Sequence, residues 1–188
     1  MVSLSQSKPK DLANLSIVRW DDLPTFGVYN DQVLSIIEEQ LAFLTPDGSE
    51  KIITPAMINN YVKLGLIERP IKKKYFQLHI AQLIVISLLK QVLPLTDVQK
   101  GMALQISIKG EKEAYNSFCK ELEESFYHLF SQLDRTIDFS FTIEGIRNEN
   151  VALKMVTLSL ASKLLTQKII AINGFNKQKK EGVDSLEK

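Results

Sequence analysis

Two adjacent asparagines and a cluster of basic residues are the side chains of this chain best suited to act on a ligand. Asn59 and Asn60 carry amides, which can pair bidentately with the edge of adenine in a DNA major groove. Further along, Arg69, Lys72, Lys73 and Lys74 join Lys63 and face the single acid Glu68. Such cations hold phosphates through charge and carry no sequence information of their own. Tyr61 and Lys63 read as phosphate contacts on the same segment, with Met57 and Tyr75 at its edges. The candidate DNA-binding set is therefore Met57, Asn59, Asn60, Tyr61, Lys63, Arg69, Lys72, Lys73, Lys74 and Tyr75. The plain alternative is that the asparagines solvate a helix and the lysines keep a loop soluble.

Reaction chemistry finds little to work with. His79 and His128 are far apart in sequence and read as partly exposed helix residues. No glycine-rich phosphate loop, nucleophile elbow or metal-ligand spacing is present. Cys119 is the only cysteine, which rules out an intrachain disulfide, and its neighbours Phe118 and Leu122 predict a buried structural thiol. The pairs Glu38-Glu39 and Glu123-Glu124 are expected to face solvent. The expectation is a protein that is not an enzyme and has no cofactor and no metal site.

The candidate residues need a rigid mount, and the local sequence supplies one. Thr54 predicts a helix cap and Pro55 a first helical position, where a missing N–H is harmless. Ile58, Val62 and Leu66 recur every four residues as an apolar stripe, while Asn59, Asn60 and Lys63 lie off it. Gly65 ends the helix, and Pro70 stops another from starting at once. Before it, a helix over 32–43 is expected, capped by Asn30 or Asp31 and buried through Val33, Ile36, Ile37, Leu41 and Leu44. A turn over 45–49 links the two. The stretch holding Trp20, Leu23, Phe26 and Tyr29 has no steady period and predicts an irregular segment docked on its neighbour.

Downstream, residues 77–93 are apolar on most faces and predict a central helix ended by Pro94. A short helix over 97–105 follows, capped by Thr96 and turned inward through Val98, Met102 and Ile106, with Gly101 weakening it. Residues 111–133 predict a long amphipathic helix with Tyr115, Phe118, Leu122, Phe126, Leu129 and Leu133 inside. Alternation at Ile137, Phe139, Phe141 and Ile143 suggests either a strand, with residues 105–109 as its one candidate partner, or an extended connector. A last helix starts at Asn148 or Asn150 and runs to about Ile172. Its apolar residues exceed one stripe, which leaves surface for core closure or a homodimer.

The balance of 23 basic and 22 acidic residues gives a net charge of +1, so only the local imbalance speaks for a polyanion. An apolar fraction of 45% and a charged fraction of 24% are those of a soluble globular chain. The first ten residues lack the apolar core of a secretory signal, and no run is suited to crossing a bilayer. A cytoplasmic location is expected by default.

Residues 54–102 resemble the DNA-binding module of the MerR-type winged helix-turn-helix regulators. The likeness lies in Met57-Ile-Asn-Asn-Tyr-Val-Lys63 as recognition helix, Gly65-Leu-Ile67 as its end and Pro70-Ile-Lys-Lys-Lys-Tyr75 as wing. The later helices correspond to Gln77-Leu-His-Ile-Ala-Gln-Leu-Ile-Val-Ile86 and Leu95-Thr-Asp-Val98. The chain departs from those regulators at Asn59, where they commonly carry arginine, and in its shorter wing. More narrowly, Trp20-Asp-Asp-Leu-Pro24, Met57-Ile-Asn-Asn-Tyr-Val62 and Leu89-Lys-Gln-Val92 are similar to the bacterial family called domain of unknown function 1836. The resemblance implies a mainly α chain: a MerR-like winged helix-turn-helix module over 15–105, then a small helical dimerisation or sensing domain over 106–174. Residues 1–14 and 175–188 are expected to be disordered tails. It implies a transcriptional regulator that binds double-stranded DNA as a homodimer. The alternative is a protein-interaction adaptor that has the same fold and does not bind DNA.

Overall fold

The structure, a computed structural model, describes residues 12–45, 50–132 and 142–171. Its helices are α1 (Asn30–Gln40), α2 (Pro55–Lys63), α3 (Gln77–Leu89), α4 (Leu95–Lys109), α5 (Glu111–Phe130) and α6 (Val151–Ala171). Single 3-10 turns lie at Trp20–Asp22 and Ala42–Leu44. The fold is mainly helical. Pairing of β type among the described residues is limited to two isolated bridges, Val28 with Tyr75 and Ile71 with Lys74.

Helix α3 is the hub. Its run of Leu, Ile and Val leaves no polar stripe, and all but three of its residues are buried. A helix apolar all round must be covered on every side, and α1, α4, α5 and α6 each pack on it. Helices α5 and α6 form the most extensive pair. They share a buried hydrogen bond of 2.9 Å between Ser125 Oγ and Thr157 Oγ1. The buried face of α5, with Tyr115, Phe118, Leu122, Phe126 and Leu129, is the one its spacing predicts. Leu133 lies outside the described residues. One cluster of buried side chains runs from Leu12 to Leu165, and residue 105, the expected domain division, falls within α4.

Several expectations are corrected. Helix α1 begins at Asn30 with Tyr29 as its cap, because Gln32 Oε1 accepts the Tyr29 N–H at 2.9 Å. It stops at Gln40, and Ala42–Leu44 tightens into a 3-10 turn. Helix α4 starts after Pro94, not at a Thr96 cap, and runs unbroken through Gly101 to Lys109. The strand expected over 105–109 is thus the last turn of a helix; its Ile106 is half-buried and its Ile108 exposed. Of the proposed partner strand, 137–141 lie outside the described residues and 142–146 have no regular structure. Leu12, expected in a loose tail, is buried in the core.

The N-terminal stretch docks in part. Ile17 and Leu23 are buried, whereas Phe26 and Tyr29 stand 69% and 54% exposed. Glu123, expected to face water, accepts hydrogen bonds from the Ile17 N–H at 2.8 Å and Arg19 Nη1 at 2.9 Å. Tyr115 Oη donates to the Val18 carbonyl at 2.9 Å, and Asn116 Oδ1 accepts the Trp20 N–H at 3.0 Å. Residues 17–20 are therefore strapped to α5 by polar groups rather than by apolar contact alone.

Candidate nucleic-acid interface

Helix α2 is built as its sequence predicts. Thr54 Oγ1 accepts the Met57 N–H at 3.2 Å, and Pro55 takes the first position. At the other end Gly65 adopts φ +68°, its N–H donates to Val62 O at 3.1 Å, and the Leu66 N–H reaches back to Tyr61 O at 2.9 Å. That pair of bonds is a Schellman ending, which satisfies carbonyls a helix leaves open. Gln99 Nε2, on α4, adds a bond of 2.9 Å to the Gly65 carbonyl.

The helix buries Ile58 and Tyr61. Opposite them lie Ala56, Asn59, Asn60 and Lys63, all exposed, at the i, i+3, i+4 and i+7 positions of one face. This face is narrow, small at its start and polar along its length. From below, Lys90 Nζ donates to the Ile52 carbonyl at 2.7 Å and lies 3.6 Å from Met57 Sδ. Burial lowers the Lys90 pKa. Met57 is consequently half-buried packing at the root of α2.

Beyond α2 the chain dives and returns. Leu66 and Ile67 are buried, Glu68 and Arg69 exposed. Ile71 and Lys74 then exchange backbone hydrogen bonds of 3.1 and 2.9 Å across a two-residue turn. Its central residues Lys72 and Lys73 have φ of 49° and 65°. Positive φ at both central positions is the sense that matches strand twist, and it is usually supplied by Asn and Gly. The turn holds Lys72 and Lys73 out in solvent. Lys74 is half-buried, with Nζ 5.4 Å from the centre of the Tyr29 ring.

The base of the turn is tied down at Tyr75, whose backbone exchanges bonds of 2.9 and 2.8 Å with Val28. Gly27 permits the approach: a Cβ there would lie 2.9 Å from Lys74 Cβ and 3.0 Å from Phe76 Cζ. Beneath sits His79, whose Nδ1 accepts the Phe76 N–H at 3.1 Å, with the Tyr75 ring edge-on at 5.7 Å. His79 is 6% exposed, not the partly exposed residue its position suggests. Burial lowers its pKa, against the charge of Glu68 and the backbone of Arg69, which raise it.

The candidate residues thus divide. Asn59, Asn60, Lys63, Arg69, Lys72 and Lys73 are exposed, and Lys74 is partly so. None of these cations pairs with a carboxylate among the described residues. Tyr61 and Tyr75 are only 3% and 5% exposed, and burial raises the pKa of both. They are core residues: an aromatic ring one position from the apolar stripe gains more from burial than from solvent. Sequence reasoning did not place Gly27 and Tyr29 beside the turn. The aperiodic aromatics around Gly27 were the available signal, but only the Val28–Tyr75 bridge shows where they go.

Elsewhere the chemistry is quiet. Cys119 is fully buried, and loss of solvent pushes its thiol up to about 11, so it stays protonated. No group of three or more His, Cys, Asp or Glu among the described residues could hold a metal ion. No helix among them is long and apolar enough to cross a membrane.

No curated protein and no solved structure gives a match. Residues 18–127, from the strap on α5 through the turn to most of α5 itself, match the family described as Domain of unknown function (DUF1836), and the chain belongs to that family.

Proposed function

We propose that this chain is a transcriptional regulator that binds duplex DNA through α2 and the basic turn at 70–75. The observation that carries the reading is the exposed face of Ala56, Asn59, Asn60 and Lys63, on a helix fixed at both ends and followed by Arg69, Lys72 and Lys73, which pair with no carboxylate among the described residues. In this reading α1, α2 and the turn are a MerR-like winged helix-turn-helix, with the wing reduced to one bridge. Asn59 and Asn60 contact base edges and the lysines contact phosphates. A homodimer would present two copies of α2 to half-sites about 34 Å apart or a multiple of it. Exposed Val151, Met155 and Ile170 on α6 supply apolar surface for such pairing.

The test is a titration of random duplex at several salt concentrations. Binding should weaken steeply with salt, and the double variant Lys72→Ala/Lys73→Ala should flatten the log–log slope by about two. Asn59→Ala should alter sequence preference more than overall affinity. No duplex binding at micromolar protein, with the fold intact, would leave the adaptor reading. That second reading draws on Phe26, Tyr29, Leu64 and Ile71, large apolar side chains exposed before α1, just after α2 and at the turn.

A further inference from the structure

Between α3, α4, α5 and α6 lies a cavity of about 240 Å³ that no feature of the basic surface uses. Its walls are apolar, formed by Leu78, Val85, Met102, Phe118 and Val156, with Trp20 at one side. Two amide side chains interrupt them. Gln82 Oε1 on α3 and Gln105 Oε1 on α4 are shielded from solvent and have no hydrogen-bond partner among the described residues. Buried amide oxygens are almost always satisfied, so two orphans lining one cavity need explaining. The charged residues of the lining are Asp97 and Glu111, and no cation lines it among the described residues.

We infer that this cavity is a binding site for a small, largely apolar molecule, neutral or cationic, that donates a hydrogen bond to Gln82 or Gln105. Volume sets the size. An apolar cavity of ~150 Å³ is enough to take up benzene, so 240 Å³ admits a bicyclic or similarly sized molecule. Shape agrees, since small-molecule sites are mainly apolar with a few placed polar groups. Charge sets the class. With two carboxylates and no cation in the lining, an anionic ligand would meet repulsion and no partner. Water is a poor occupant, because a bound water needs two to four polar partners and the walls between the amides are hydrocarbon. Gly101 lines the cavity and is exposed, and an added Cβ there would meet nothing within 4 Å, so a larger side chain can be introduced at the cavity wall.

The experiment is a fluorescence titration of the full chain with N-methyl-1-naphthylamine, a neutral bicyclic probe with one N–H donor. Trp20, the only tryptophan, lines the cavity and serves as an energy-transfer donor to the bound probe. One-to-one saturable binding is expected, with Kd on the order of 10–100 micromolar and quenching of Trp20 emission. Gly101→Leu should abolish binding while preserving or raising the melting temperature, because it fills the space and removes a helix glycine. Gln82→Leu/Gln105→Leu should weaken the probe roughly fivefold and leave its N,N-dimethyl analogue, which lacks the donor, unaffected. Absence of saturable binding, or unchanged binding by folded Gly101→Leu, would overturn the site. Equal losses for both probes in the glutamine variant would overturn the donor class. Weaker probe binding as protein concentration rises would assign the cavity to a second copy of the chain and also overturn the inference.

Discussion

Lys72 and Lys73 occupy backbone conformations that lysine disfavours, since a left-handed residue costs roughly 1–2 kcal/mol when it carries a Cβ. Asn or Gly would fit the turn better. Replacing Lys73 with glycine should therefore stabilise the fold by up to about 1 kcal/mol in urea denaturation, the gain reduced by the greater freedom of glycine in the unfolded chain. The same variant should lose about one unit of the DNA salt slope if the lysine meets a phosphate. Stability and charge would then move in opposite directions at one residue, as expected where a strained conformation serves a surface function. His79, directly below, answers to pH. The fold holds its ring neutral with a lowered pKa, while the unfolded chain takes up a proton near the ordinary value of 6.5. Protons therefore favour unfolding. The contribution of His79 is fully present above about pH 6.5 and is lost as pH falls toward its lower folded value. Melting temperature should drop between pH 7 and 5.5, and His79→Gln should flatten that drop, because glutamine can still accept the Phe76 N–H without titrating.

At the scale of elements, the helices were legible from local signals, a periodic apolar stripe in α1, α2 and α5 and an unbroken apolar run in α3. Thr54-Pro55 and Gly65 marked α2 so closely that its cap and its ending both fall where local chemistry puts them. What failed depended on distant residues. Ile106 and Ile108 alternate with polar neighbours like a strand, yet α4 continues through them because its apolar side packs on α3 and α5. Tyr61 and Tyr75 sit among basic residues and resembled surface contacts until Val28, from far upstream, closed over Tyr75. That closure is open to test through Gly27. A methyl at Gly27 would press on Lys74 Cβ, which belongs to the turn itself and cannot swing aside like a chain end. Gly27→Ala should cost about 1–3 kcal/mol, in the range of an overpacked site. Hydrogen exchange should show where: the Val28 and Tyr75 amides losing protection while those of α5 keep theirs. Equal loss across the molecule would mean that the turn is not a separate unit.

At the scale of the whole molecule, the last helix is joined to α5 through polar side chains as well as oil. Lys154 of α6, 12% exposed, lies 3.3 Å from Glu121 Oε2 and 3.8 Å from Glu124 Oε2, both on α5. Asn150 Nδ2 donates to Glu121 Oε1 at 3.3 Å, and Lys154 Nζ reaches the Glu144 carbonyl at 3.1 Å. None of this was legible beforehand, since a lysine and a glutamate on amphipathic helices usually face water. The two charges are nearly enclosed, so their attraction mainly offsets the cost of leaving water. The consequence is an asymmetry between removing one charge and removing both. Lys154→Met alone strands the Glu121 carboxylate and should destabilise by about 3–5 kcal/mol. Adding Glu121→Leu should recover most of that loss, because an apolar pair fills similar volume with no charge to desolvate. Urea denaturation of both variants measures the difference. If the double variant is as unstable as the single one, the pair is a net source of stability. If it recovers, the pair contributes specificity of helix register, and the buried apolar faces of α5 and α6 supply the cohesion.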